Sequence, residues 1–509
     1  MAEGSAKPER ALWVEARGLF RYVRPWRGRF AAAVAGSFVS MAFGLMFPLL
    51  VGHLLDAAIP SLKEAPSDGW QPSVDTVAAA LLGTLLVQAA LTFFSSYSFN
   101  KVGESAVVAL RRDLYGRLIS LPMKFFGEHR VGELSSRLSN DLAQIQDTLT
   151  FTVAQAIRQI MLLGGGVVLI AATSVKLSLV MISSFPVLML LGVVFGRRIR
   201  KLSRAAQDCL ASTATVVDET FQGIALVKSF GNERYETARY GAGLQAFLEI
   251  ALRSAIYRAC LIAFIIVGIF GSIVLVLWYG ARLMQAGELT HGELTRFILS
   301  TIFVGGAVSS FAEVFSQLQK TLGATQRVRE LLEETPEALG WIGPTSDVDG
   351  ARGESSTFEV APLVRLRGAV RFDRVHFSYP SRADLPVLRG VSLDARPGEK
   401  IALVGPSGAG KSTMVSLLLR FYEPGSGRIL LDGKDAREYD LRTVRGNMAI
   451  VPQEVMLFGG SIRDNIAYGK PGASEAEIVA ASRRANCVEF IERFPEGYGT
   501  LVGERGVKL

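Results

Sequence analysis

The chain has 509 residues, 49% of them apolar before its 51 glycines are counted, where soluble domains reach about 45–50% with glycine included. Charged residues are only 20% and mean hydropathy is +0.30, which excludes a disordered or collagen-like chain and speaks against a purely soluble one. The net charge of +8 reflects 55 Lys and Arg against 47 Asp and Glu. It fits positive cytoplasmic loops better than nucleic-acid binding, for which no motif is present.

Residues 1–30 place Leu12, Trp13, Leu19, Phe20 and Tyr22 among arginines, a pattern for a helix lying at a membrane interface. They have no apolar core or small-residue cleavage pattern and do not read as a secretory signal peptide. Six largely charge-free apolar runs follow, at 31–59, 76–99, 151–172, 177–196, 257–280 and 294–315. Each approaches or exceeds the ~20 residues that cross a hydrocarbon core. One buried helix of a soluble protein could read this way; six in succession predict a membrane domain. Arg17, Arg21, Arg24, Arg27 and Arg29 precede the first run. Lys101, Arg111 and Arg112 follow the second, and Arg197, Arg198, Arg200 and Lys201 the fourth. The opposite connections hold Lys63, Lys176 and Arg282. The asymmetry puts both ends of the domain in the cytoplasm. The connections 100–150 and 197–256 are helix-forming, so helices are expected to project beyond the bilayer and turn back. Cys209, Cys260 and Cys487 are too far apart for a disulfide framework or a zinc site, which fits a reducing compartment.

A Gly-, Pro- and Ser-rich polar stretch at 333–362 reads as a linker. Beyond it the composition is that of an ordinary soluble domain. Gly405-Pro406-Ser407-Gly408-Ala409-Gly410-Lys411-Ser412 fits the phosphate-loop pattern. It lies between a strand-type run at 401–404 and a helical pattern at 413–420. Glycines let backbone N–H groups wrap phosphate oxygens, and the helix start adds a favourable dipole. Lys411 is expected to reach the β- and γ-phosphates, and Ser412 to place its hydroxyl on Mg²⁺. Tyr379 is a candidate for stacking on a nucleobase. Gln453 follows a strand-like run at 448–451 and is a candidate Mg²⁺ ligand or water-orienting group.

Together these motifs, from Phe372 to Leu509, resemble the nucleotide-binding domain of exporter-type ATP-binding-cassette transporters. The resemblance continues through Ser461-Ile462-Arg463-Asp464-Asn465 and Thr500-Leu501-Val502-Gly503-Glu504-Arg505-Gly506. In the first half, Phe125-Phe126-Gly127-Glu128-His129-Arg130 and Asp218-Glu219-Thr220 through Lys228-Ser229-Phe230-Gly231 resemble the exporters' two intracellular loops. The resemblance implies a multi-domain fold. A six-span α-helical transmembrane domain (31–332) is followed, after the linker, by an α/β P-loop NTPase cassette (363–509), incomplete at its C-terminus.

It also implies roles. Tyr379 stacks on adenine; Gly405, Pro406, Ser407, Gly408, Ala409, Gly410, Lys411, Ser412 and Thr413 hold the phosphates of ATP. Lys411 and Gln453 serve catalysis, and Ser412 and Gln453 hold Mg²⁺. Coupling helices are expected near 126–134 and 206–215. One membrane domain joined to one cassette is a half-transporter, so a second half-transporter, identical or related, is the implied partner. The implied activity is ATP-driven export of a lipid, drug or other amphipathic molecule across a bilayer, with a bacterial inner membrane expected and an organelle membrane as the alternative. The family pattern goes on to a signature sequence, a Mg²⁺-holding Asp, a general-base Glu and a switch His; Leu509 matches the signature's first residue. The sequence is therefore read as a fragment unable to turn over ATP alone. If it is instead the real product, a non-catalytic ATP-binding regulatory subunit is the alternative.

Overall fold

The computed structural model describes residues 21–59, 73–337, 364–453 and 456–503. The expectations for Leu12, Trp13, Leu19 and Phe20, for most of the linker, and for Glu504, Arg505, Gly506 and Leu509 lie outside the described residues. The chain divides into two compact units: Met1–Leu121, His129–Thr335 and Gly343–Arg352 in one; Pro122–Glu128, Pro336–Ile342 and Gly353–Leu509 in the other.

The first unit is helical: α1 (Arg27–Ala58), α2 (Val74–Ile119), then, beyond the short α3 (Met123–Glu128) that belongs to the second unit, α4 (Val131–Thr173), α5 (Val175–Gln222), α6 (Ile224–Phe230), α7 (Glu233–Gln285) and α8 (His291–Glu333). Among the described residues five helices are long and apolar enough to cross a membrane: α1 with its preceding turn, α2, α4, α7 and α8. The fourth charge-free run lies in α5, with Pro186 inside it. At 1.5 Å per residue the 46-residue α2 and 53-residue α7 run about 70 and 80 Å. That is more than twice the ~30 Å hydrocarbon core, so each helix has a long extension outside it.

The helices begin where side chains satisfy free N–H groups. Ser73 accepts from Thr76 N–H, Ser174 from Leu177 N–H, and Thr290 with Glu293 forms a capping box. Helix packing uses small and polar residues as much as large ones. Ser40 Oγ lies 2.7 Å from Thr92 Oγ1 between α1 and α2. Phe297 of α8 and Leu177 of α5, both fully enclosed, anchor a cluster with Ile170 and Val276. Asp56 of α1 accepts Gly292 N–H at 2.8 Å and the Thr290 hydroxyl at 3.1 Å, placing its carboxylate at the positive start of α8. Near the other end of α8, Arg327 grips the buried Asp141 with bonds of 2.9 and 2.6 Å.

The hairpin tips differ from the sequence reading. Residues 206–215 lie inside the unbroken α5. Reversal occurs at Gly223 and at Gly231, whose φ of 65° ends α6 in the left-handed region. α6 presents Leu226 and Phe230 to the surface. The first tip is α3, which stops before His129 rather than continuing to 134.

The second unit is organised by an antiparallel sheet of order β2-β1-β3-β4, with β1 (Val370–Phe377), β2 (Leu388–Ala395), β3 (Ser426–Leu431) and β4 (Lys434–Asp435). Alternation along β1 buries Phe372, Val375 and Phe377 against Ile429, Leu431 and Leu388. Helix α9 (Lys411–Leu418) covers this face through Met414 and Leu417, and α10 (Leu441–Gly446) through Val444. A smaller core of Ile462, Ile491 and Val502 joins α11 (Ile462–Ala467) and, beyond α12 (Glu475–Arg484), α13 (Val488–Glu492). The runs 401–404 and 448–451, expected as strands, form none. Neither has a ladder partner among the described residues, and Val404 and Val451 are 88% and 92% exposed. A strand that would be buried on both faces exists only with neighbours.

Candidate functional site

The phosphate-loop residues stand between the core sheet and solvent. Residues 405–409 are exposed, and Gly410 is buried as the N-cap of α9. Gly405, Gly408 and Gly410 have φ of 150°, 83° and 87°, values that L side chains rarely adopt. At Gly410 a Cβ would also lie 2.6 Å from Leu388 Cδ2. This backbone turns the loop so that it runs straight into the first turn of α9, whose leading N–H groups have no intrahelical acceptor. Two attractions for a phosphate, free donors and the helix dipole, therefore coincide.

Lys411 folds back across the loop, its Nζ donating to the carbonyls of Gly405 and Pro406 at 2.8 Å each. The ammonium is thus held over the loop by two exchangeable, exposed bonds. Ser412 is exposed beside it, whereas Thr413 is buried and points inward.

Tyr379 is not a free platform. Its hydroxyl shares a 3.0 Å hydrogen bond with Thr413 Oγ1. Its ring packs edge-on to Phe377 at 5.0 Å and to Tyr422 at 5.2 Å. Burial, and then the neighbouring Tyr379, push the Tyr422 phenol up from its ordinary value. Tyr379 thereby ties the end of β1 to the first turn of α9. Removing the hydroxyl (Tyr379→Phe) is expected to cost about 1 kcal/mol of stability and to leave ATP affinity within about twofold. Removing the ring (Tyr379→Ala) is expected to weaken ATP binding about tenfold, in line with base stacking worth about 1–3 kcal/mol. Titration with a fluorescent ATP analogue measures both; equal affinities for wild type and Tyr379→Ala would eliminate the stacking role.

Gln453 lies exposed at a bend after Pro452, and no hydrogen bond among the described residues links it to the loop. The structure thus brings together Tyr379, Thr413 and the start of α9. It also reveals groups that sequence reasoning missed. Tyr422 completes the aromatic cluster. Arg420, in the left-handed region at φ 53°, donates to the carbonyls of Ala436 and Tyr439. Arg445 binds the far end of α9. None of these stands at a motif spacing; a lone Arg in a surface helix gives no signal until the fold is known.

For Mg²⁺, the donor set fits a metal held mainly by phosphate oxygens and water, as is usual for this ion. Ser412 offers one exposed hydroxyl beside the loop, and among the described residues no group of three or more His, Cys, Asp or Glu could hold a metal by itself.

Comparison with known proteins places these features in context. The model of the ABC transporter transmembrane region matches residues 30–308, and the ABC transporter model matches 388–503. The ABC multidrug transporter mdr2 of Aspergillus fumigatus is 34% identical over 511 residues, covering 100% of this chain and 62% of that protein. The mouse mitochondrial ATP-binding cassette sub-family B member 10 is 35% identical over 496 residues, covering 96% of this chain and 66% of that protein. The human mitochondrial potassium channel ATP-binding subunit is 34% identical over 487 residues, covering 94% of this chain and 63% of that protein. The chain thus spans somewhat less than two thirds of the length of these relatives. With a helical membrane region and a phosphate-loop cassette in this order on one polypeptide, the chain belongs to the ABC transporter family, among relatives of the B type.

Proposed function

We propose that the protein to which this chain belongs is a half-transporter that uses ATP to export an amphipathic substrate, a lipid or drug, across a membrane as a dimer with a second half-transporter. The observation that carries this reading is the joining of the phosphate loop at 405–412 to a set of helices long and apolar enough to span a bilayer.

In this reading the N–H groups of the loop and of the first turn of α9 bind the phosphates of ATP. Lys411 exchanges its two carbonyl acceptors for β- and γ-phosphate oxygens. Thr413, fixed by Tyr379, keeps the first turn in register, and the Tyr379 ring meets adenine. Ser412 and Gln453 would hold Mg²⁺, which would supply positive charge to offset that of the phosphates. The hairpin tips α3 and α6 serve as coupling elements. The N-terminus and cassette share the cytoplasmic side of a bacterial inner membrane. Two of the compared relatives are mitochondrial by name, so an organelle membrane is the competing location, and fractionation of the source cells separates the two.

The test is reconstitution of the full-length protein in proteoliposomes. Expected are vanadate-sensitive ATP hydrolysis and ATP-dependent movement of a fluorescent phospholipid or cationic dye. Hydrolysis without movement of any probe in a panel of lipids and dyes would remove the export of amphipaths. ATP binding without hydrolysis would favour the second reading, a regulatory ATP-binding subunit, in line with the name of the human relative.

A further inference from the structure

Arg445 makes bonds in two directions. Its Nε donates to the Leu419 carbonyl and its Nη2 to the Arg420 carbonyl, both at 3.1 Å. Leu419 is the C-cap of α9, the helix whose first residue is Lys411, and Arg420 follows it. A cation there is favoured by the negative end of the helix dipole. Nη1 and Nη2 also donate to the two carboxylate oxygens of Glu337, at 2.7 and 3.0 Å, the bidentate geometry that Arg makes with a carboxylate. The Glu337 side chain is only 12% exposed, and Phe421 stacks beneath the guanidinium at 5.3 Å. Both partners belong to the second compact unit.

Glu337 is four residues past the last residue of α8, Glu333. Those four steps span at most about 14 Å, and Pro336 restricts them further. The end of α8 is itself held within the first unit, by Arg327 on Asp141 and by Arg117 Nε donating to the Leu332 carbonyl at 2.9 Å. A pull on Glu337 therefore reaches a helix end that is fastened rather than frayed.

We propose that Glu337 is a positioning residue: through Arg445 it fastens the end of α8 to the C-terminus of the phosphate-loop helix, so that nucleotide binding at one end of α9 is relayed to α8. The proposal rests on the reading of 405–413 as a nucleotide site. The experiment is hydrogen–deuterium exchange of the full chain in lipid nanodiscs with and without MgATP. In wild type, MgATP is expected to slow exchange at 405–413 and, severalfold, in the last turns of α8 (324–333). Glu337→Ala is expected to keep the first effect and lose the second, and Glu337→Asp, which keeps the charge, to restore it. Undiminished protection of 324–333 in Glu337→Ala would overturn the relay. So would protection of 405–413 without 324–333 in wild type. Loss of both effects in Glu337→Ala would overturn it as well, by making Glu337 a support of the nucleotide site itself. No protection at 405–413 in wild type would remove the nucleotide-site reading and the relay with it.

Discussion

Lys411→Ala is expected to reduce vanadate-sensitive ATP hydrolysis by the full-length protein about 10²–10³-fold, the scale of losing one preorganised charge contact to a developing oxyanion. The structure explains why this change is local. Among the described residues the Lys411 ammonium bonds to two loop carbonyls, those of Gly405 and Pro406. The buried anchors of α9 are Thr413, Met414 and Leu417, which the substitution leaves alone. The variant is therefore expected to fold with an unchanged melting temperature and to fail in turnover. Lys411→Arg is expected to fail nearly as badly, because a planar fork cannot occupy the same point between phosphates. The assay is phosphate release in lipid, beside a melting curve of the same sample. Hydrolysis at wild-type rates in Lys411→Ala would sink the assignment of the loop.

The second large effect is on stability. In the register of β1 with β3, Asp373 faces Arg428 and His376 faces Ser426, with a bulge between them. Two β1 residues, Arg374 and Val375, there oppose one β3 residue, Gly427, whose φ is 78°. A Cβ there would lie 2.3 Å from the Arg374 carbonyl oxygen and 2.6 Å from that of Asp373. All of these are backbone atoms, which cannot rotate away as a side chain could. Gly427→Ala thus combines left-handed strain of about 1–2 kcal/mol with a displacement of β1 of the kind that costs about 1–3 kcal/mol. Gly433 is the control: its φ is 83°, but nothing lies within 4 Å of an added Cβ. A loss of about 3 kcal/mol for Gly427→Ala predicts hydrogen exchange at the Phe372 and Ile429 amides faster by about two orders of magnitude. Gly433→Ala is expected to raise it about tenfold. Equal acceleration in the two would show that the close backbone approach carries no cost. Because Met414 and Leu417 pack on the strands that this bulge joins, ATP affinity is expected to fall together with stability in Gly427→Ala.

The membrane region and the phosphate loop were legible because each is a property of consecutive residues. A charge-free run of about 20 residues is apolar whatever surrounds it, and a loop of three glycines ahead of Lys411 carries its own backbone requirement. The hairpin tip at 223–232 was misplaced because helix-forming composition runs on through 206–215, and only Gly223 and Gly231 mark the reversal. The apolar runs 401–404 and 448–451 read as strands because apolar periodicity cannot say whether a ladder partner is present. Tyr379 is visible as an aromatic near the loop, but its bond to Thr413 and its place between Phe377 and Tyr422 join residues up to 45 positions apart in the chain.

What the sequence by itself determined was therefore the local chemistry: apolar spans, a basic asymmetry across them and a phosphate-binding loop. Only the tertiary structure decided which side chains support that loop. Arg445 and Glu337 are separated by 108 positions. α9 and α10 pack on the same sheet face, which leaves the carbonyls just past α9 beside the Arg445 guanidinium that grips Glu337. Hydrogen bonds and ion pairs depend on position to within tenths of an ångström, and such positions exist only once the chain has packed.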